Sequence, residues 1–466
     1  MFEGTVLALG VAGALAGTTT FAADPPDSTS PPPATEVAAT EIPGTAPGSP
    51  AGAGAAGVAP AAGWREWQSA LAARGVTTSG SLTAMAIGDV AGGRRTGGTA
   101  QSLAFAATDA DLEKLTGWWK GGHAFVNAAF IRGKDLSNRF VGDALMASNL
   151  EAYNSLRLYD AWIEQSIAGG RMSVRTGSIG ADEEFASTQG GSVLTNSAFG
   201  WEAGIGANVV NGGPIYFVPG LGIRFAVNTG TTWHLRAGAY DGDSFDSPNG
   251  DPTVNAHGLH FQLNSKQGAF LLGEGSHEWG VATGALPGNA KLGVWRHTAD
   301  FPDERLDSNG APFALSGQEP AEHRGNDGVY GVMEQKLWNH PGDPSRGLSA
   351  WSRVAGASAD RSLYSSVVEF GLHWAGPLPA RAADGISIGF VSANVSADVR
   401  QQVRESNAAT GGNAPIPDWE RVVEAAYQLH AGAHLSVTPD LQWVLHPGTT
   451  SATPNATVAG LRVSWQ

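Results

Sequence analysis

Gly222-Ile223-Arg224-Phe225-Ala226-Val227-Asn228 is the stretch on which the fold turns. In an extended chain successive side chains point to opposite faces, so Ile223, Phe225 and Val227 share one face while Arg224, Ala226 and Asn228 share the other. The pattern recurs on both sides of it. Met172, Val174 and Thr176 oppose Arg171, Ser173 and Arg175; Trp233, Leu235, Ala237 and Ala239 oppose His234, Arg236, Gly238 and Tyr240. At the C-terminus Ala459, Leu461, Val463 and Trp465 oppose Gly460, Arg462 and Ser464. About sixteen such segments fit between Thr77 and Gln466, separated by Gly, Asn, Asp and Pro clusters. A soluble sandwich needs helices or a second sheet over its apolar faces, and no amphipathic helices follow these strands to supply that cover. A closed antiparallel barrel turns those faces to lipid instead. The expected fold is all-β: a transmembrane antiparallel β-barrel of about 16 strands, with a short N-terminal helix, long loops at one end and an aqueous channel inside.

Composition agrees. Only 15% of the 466 residues are charged, against about 25% in a typical soluble domain, and 64 are Gly, which disfavours helices. No Cys is present, which removes disulfides, thiolate metal sites and cysteine nucleophiles. The net charge of -15 and the lack of a basic stripe exclude nucleic acid as a partner.

Three regions follow along the chain. Residues 1–23 read as a signal peptide: Val6 to Phe21 is apolar and Thr20-Phe21-Ala22 suits cleavage, although Met1-Phe2-Glu3 lacks the usual positive charge. Residues 24–62 are a Pro-, Ala- and Gly-rich linker that cannot bury enough surface to order itself. Residues 63–466 form the barrel domain, opened by a short helix over 64–74 that Gly75 closes. Trp119, Trp162, Trp233, Trp279, Trp295, Trp338, Trp374, Trp443 and Trp465 fall near strand ends, where an interfacial aromatic girdle belongs.

Several runs resemble the carbohydrate-selective porins of the OprB family. In order they are Leu112-Glu113-Lys114-Leu115-Thr116-Gly117-Trp118, Arg157-Leu158-Tyr159-Asp160-Ala161-Trp162-Ile163-Glu164-Gln165, Asp182-Glu183-Glu184-Phe185, Asn196-Ser197-Ala198-Phe199-Gly200, Leu286-Pro287-Gly288-Asn289-Ala290-Lys291-Leu292-Gly293-Val294-Trp295 and Gly331-Val332-Met333-Glu334-Gln335-Lys336-Leu337. The resemblance implies an outer-membrane channel for passive diffusion of monosaccharides such as glucose, in the bacterial outer membrane, as monomer or homotrimer. Its implied partners are small sugars, outer-membrane lipid and lipopolysaccharide. The chain departs from the common pattern at Trp465-Gln466, where the aromatic is penultimate rather than last.

A polyol is held by paired donors and acceptors, and a guanidinium offers five fixed donors. On the strand phasing Arg171, Arg175, Arg224 and Arg236 face the lumen and are the first candidates to line the channel; Arg157, Arg353 and Arg462 are weaker ones. Asp182, Glu183 and Glu184 follow the Arg171–Arg175 strand and, beside the arginines, would set a transverse field across the channel. The alternative is a secreted β-rich carbohydrate-binding protein or glycoside-active enzyme using two carboxylates, but nothing fixes two carboxylates across a cleft. The acidic run Asp241 to Asp251 fails the calcium-loop pattern because Phe245 replaces a ligand and no glutamate closes it. No HExxH, P-loop or GxSxG occurs. The sequence therefore calls for no cofactor, no metal and no catalytic residue.

Overall fold

The structure, a computed structural model, describes residues 62–230, 232–280 and 285–466. The expected signal peptide and all but the last residue of the expected linker lie outside them. Sixteen strands close into one antiparallel barrel, each paired with its neighbours in sequence and the last with the first. They are β1 (Val76–Ala91), β2 (Gly97–Asp111), β3 (Gly122–Arg132), β4 (Ser155–Ile167), β5 (Met172–Ile179), β6 (Gly220–Asn228), β7 (Trp233–Asp241), β8 (Ala269–Trp279), β9 (Gly288–Asp307), β10 (Pro320–His340), β11 (Asp343–Ala357), β12 (Tyr364–Ala375), β13 (Gly385–Val395), β14 (Trp419–His430), β15 (Leu435–Leu445) and β16 (Ala456–Trp465). Closure leaves no unpaired edge, the condition for a sheet in hydrocarbon. A helix, α1 (Ala62–Ala73), precedes β1, and Gly75 follows it at φ 86°, a left-handed turn that glycine adopts without strain.

The longest connections share one end of the barrel. At one end lie tight turns such as 168–171, 341–342 and 431–434; at the other lie 133–154, 180–219, 242–268 and 396–418. The outer wall carries exposed Leu292, Val294, Val329, Met333, Val354, Phe370 and Leu372, together with the sequence-phased Phe225, Leu235 and Leu461. No described helix or second sheet covers this wall. Exposed apolar area on that scale is what a lipid-facing surface requires. Trp233, Trp338, Trp374 and Trp465 stand exposed at strand ends on the short-turn side, where a girdle belongs.

Two expected girdle members belong elsewhere. Trp295 is buried on the inner side of β9, opposite Gly328, where a Cβ would come within 2.6 Å of the indole nitrogen. Trp162 also faces inward, stacked on Phe125 at 5.2 Å. The β3–β4 register shifts between Val126 and Ala128, where β4 spends one more residue, from Leu158 to Ala161, and the consecutive β4 residues Tyr159 and Asp160 are both buried. The bulge resets the side-chain alternation that position along the strand alone would give.

Candidate functional site

The barrel interior is filled by polar side chains and by the longest connection, 180–219, which leaves β5 and folds across the lumen. Inward-pointing groups from widely separated strands hold it. Glu274 (β8) accepts from the Ala186 backbone N–H at 2.9 Å, and Lys291 (β9) donates to the Ser187 carbonyl at 2.7 Å. Glu334 (β10) accepts from the N–H groups of Gln189 and Gly190. On the far side of the barrel from β5, Glu424 (β14) accepts from the N–H groups of Thr195 and Asn196, and Gln442 (β15) bonds the side chains of both.

The strongest tether is Arg353 on β11. Its guanidinium donates to the carbonyls of Ala186, Ala198 and Gly200 at 2.6–2.8 Å and pairs with Glu369 on β12. A loop crossing the lumen leaves backbone groups that the loop cannot satisfy itself, and these wall side chains satisfy them. A second connection, 133–154, is fixed the same way: Glu420 (β14) accepts from the N–H groups of Ala144 and Leu145. Of the weaker arginine candidates, Arg157 donates to the Tyr153 hydroxyl at 2.7 Å and Arg462 bonds Asn149. Both are wall-to-loop ties.

Where the loop leaves β5 the charged candidates meet. Arg175 and Arg224 stand directly opposite each other on β5 and β6, an arrangement that would repel if bare. Two carboxylates sit between them. Glu164 Oε2 lies 2.9 Å from Arg175 Nε and 2.7 Å from Arg224 Nη2. Glu184 Oε1 lies 3.0 Å from Arg175 Nη1 and 2.8 Å from Arg224 Nη2. The other Glu184 oxygen is 3.5 Å from Arg236 Nε, and Arg236 Nη1 is 3.5 Å from Glu274. Glu183 is 3.8 Å from Arg175. The Arg175 guanidinium also lies 3.8 Å over the Trp162 ring, a cation–π contact.

Three arginines from adjacent strands, four glutamates and one indole thus form a single patch on the inner wall. Arg236 is the most accessible of its arginines, at 27% against 10% for Arg175 and 5% for Arg224.

Asp182 stands beside this patch, accepting from the Tyr216 N–H at 3.1 Å. Enclosure outweighs that hydrogen bond and pushes its carboxyl up to about 6. Glu183 is pushed well above the usual carboxylate range, first by burial and then by Asp160 and Asp182 next to it. Arg171 is not part of the group. It lies exposed in the 168–171 turn at the far end of the same strand, with no side-chain hydrogen bond or ion pair among the described residues.

Of the phased candidates Arg175, Arg224, Arg236, Glu183 and Glu184 meet in this patch, with Asp182 beside it; the phasing does not include Glu164, Glu274 or Trp162. Counting inward from Arg175 across the strand pairs reaches Glu164, its direct partner on β4; Glu274 is likewise the direct partner of Arg236 on β8. In the 241–251 run the carboxylates are engaged within the fold: Asp243 accepts from Asn211 and from two backbone N–H groups, and Asp246 from Gln262, Gln267 and His260.

Comparison with known proteins gives the same picture. Residues 94–466 match the family described as carbohydrate-selective porin, OprB family. The chain is 29% identical to Porin B of Pseudomonas aeruginosa over 371 residues, covering 76% of this chain and 78% of that protein. It is 22% identical to the putative porin QuiX of Acinetobacter baylyi over 429 residues, covering 85% and 90%. The high-pH structure of Pseudomonas putida OprB superposes with a TM-score of 0.77 at 25% identity, over 86% of this chain and 96% of that one. The closed barrel, its lipid-facing outer wall and the match over most of its length identify the chain as a bacterial outer-membrane protein belonging to the OprB family of carbohydrate-selective porins.

Proposed function

We propose that the chain is a passive channel for monosaccharides such as glucose, and that Arg175, Arg224, Arg236, Glu164, Glu183, Glu184 and Glu274 line the narrow part of its path. The observation that carries this reading is the inner-wall patch, where fixed guanidinium donors alternate with carboxylate acceptors beside the Trp162 face. A sugar hydroxyl both donates and accepts, so it can exchange water partners for this set with little loss, while a ring face can rest on the indole. A simple ion finds one sign of charge opposed by the other within a few ångströms. Asp182 extends the acidic side, and Arg171 lies where a solute leaves at the short-turn end.

The path carries no chemistry in this reading, since a diffusing solute needs neither a nucleophile nor a cofactor. The rival, a secreted carbohydrate enzyme or lectin, is disfavoured by the apolar outer wall, which such a protein would have to hide from water.

Lipid and lipopolysaccharide are the surrounding partners. Arg94, Arg95 and Arg139 cluster at the long-loop rim, with the guanidiniums of Arg95 and Arg139 flanking the Phe140 ring at 4.8 and 5.2 Å, and none has a carboxylate partner among the described residues. Such an array suits phosphate groups of the outer leaflet.

Liposome swelling tests the proposal. Glucose should enter faster than a charged solute of equal size and faster than a neutral disaccharide. Equal rates for all three would remove the claim of sugar preference.

A further inference from the structure

Strands β9 and β10 run 20 and 21 residues, about twice what a tilted strand needs to cross hydrocarbon. Their outer halves therefore stand beyond the membrane at the long-loop end as an arm. Three side chains from three segments converge beside this arm. Asp303 comes from β9, His323 from β10 and Asp360 from the 359–361 turn between β11 and β12. The ligand atoms of all three lie within 4.8 Å of one another, with His323 Nε2 at 2.7 Å from Asp303 Oδ2 and 3.8 Å from Asp360 Oδ2.

The geometry points to a divalent transition-metal site, of the zinc class, that staples the arm to the 359–361 turn. One imidazole nitrogen and two carboxylate oxygens suit such an ion, and ligands at 2.0–2.2 Å around a tetrahedral centre stand about 3.3 Å apart. The two measured separations bracket that value.

Both carboxylates are already oriented by hydrogen bonds, as outer partners orient metal ligands. Asp303 Oδ1 accepts from the N–H groups of Arg305 and Leu306 at 2.8 and 2.6 Å, leaving Oδ2 for the ion. Arg361 pairs with both Asp360 oxygens, Nε with Oδ1 and Nη2 with Oδ2, each at 2.9 Å, so an ion at Oδ2 shares that oxygen's lone pairs with the guanidinium. Side-chain exposures of 25% for His323 and 39% for Asp360 leave room for ion entry and for a completing water. Binding requires His323 Nε2 without its proton, so the ion replaces the present hydrogen bond to Asp303. The site is separate from the channel patch and does not depend on what passes through the pore.

Titration of the untagged, folded full chain in detergent with Co2+ or Zn2+ alone tests it. The expected result is saturable binding of a single ion, with the visible absorption of low-coordinate Co2+, weakened at least about tenfold in both His323→Ala and Asp303→Asn. Zn2+ should also slow proteolysis within 308–319 in the wild type and not in His323→Gln, which keeps a polar side chain at the position. Heat-modifiable migration confirms that each variant is a closed barrel. An absence of saturable binding, or equal binding by wild type and His323→Ala, would overturn the assignment and leave the trio as an ion-pair latch.

Discussion

Arg353 and Glu369 form an ion pair at 2.8 Å on neighbouring strands with neither side chain reached by solvent. The same guanidinium holds three carbonyls of the 180–219 loop. A buried pair of this kind contributes little by its mutual attraction after desolvation, but breaking it leaves an uncompensated charge. Arg353→Met should therefore destabilise the loop's docking by about 3–5 kcal/mol, and Arg353→Met with Glu369→Leu should cost less than the single change. Urea unfolding from lipid vesicles gives the stabilities. Single-channel recording should show a larger and noisier current in Arg353→Met as the loop loosens.

Glu184 touches three arginines at once. Replacing it by Gln keeps its shape and removes one of the negative charges that offset them, so the local field becomes less negative. The reversal potential in a potassium chloride gradient should shift toward anion selectivity. An unshifted potential would place the ion path away from this patch.

Asp182 supplies a pH dependence. Burial raises its carboxyl to about 6, so the protonated form is favoured in the folded loop. Its contribution to docking is full below about 4, the unfolded value, and is lost as pH rises through about 6. Between pH 5 and 7 the wall beside Glu183 gains negative charge, and cation selectivity should rise. Asp182→Asn should flatten that rise, measured again as reversal potential against pH.

The outer wall can be tested without touching the lumen. Leu292 is 70% exposed near the middle of the spanning part of β9. Leu292→Arg should cost about 2–4 kcal/mol if that surface meets the bilayer midplane. A cost near zero in vesicle unfolding would place the residue in water.

How far the sequence was legible follows from these residues. Strand phasing is a local property, so Phe225 and Leu235 outside and Arg224 and Arg236 inside were readable from a period of two. Trp162 and Trp295 escaped because position near a strand end does not say which face a tryptophan takes, and the β3–β4 bulge resets the alternation. Arg353, Glu369, Glu424 and Glu334 have their roles only because 180–219 folds back across the barrel, a long-range fact no short window carries. The helix α2 (Ala397–Thr410) in the 396–418 connection was also passed over. Its signals are present: Ser396 caps it by accepting from the Val399 N–H, and Gly411 ends it at φ 68°.

The most direct test of the central claim is the ion current through single channels as glucose is added, compared between wild type and Arg224→Ala. If the arginine and carboxylate patch holds sugars on their way through, glucose should reduce the wild-type current in a saturable manner, and the half-saturating concentration should rise several-fold in the variant while the barrel stays folded. A current indifferent to glucose in the wild type, or identical glucose dependence in both proteins, would contradict it.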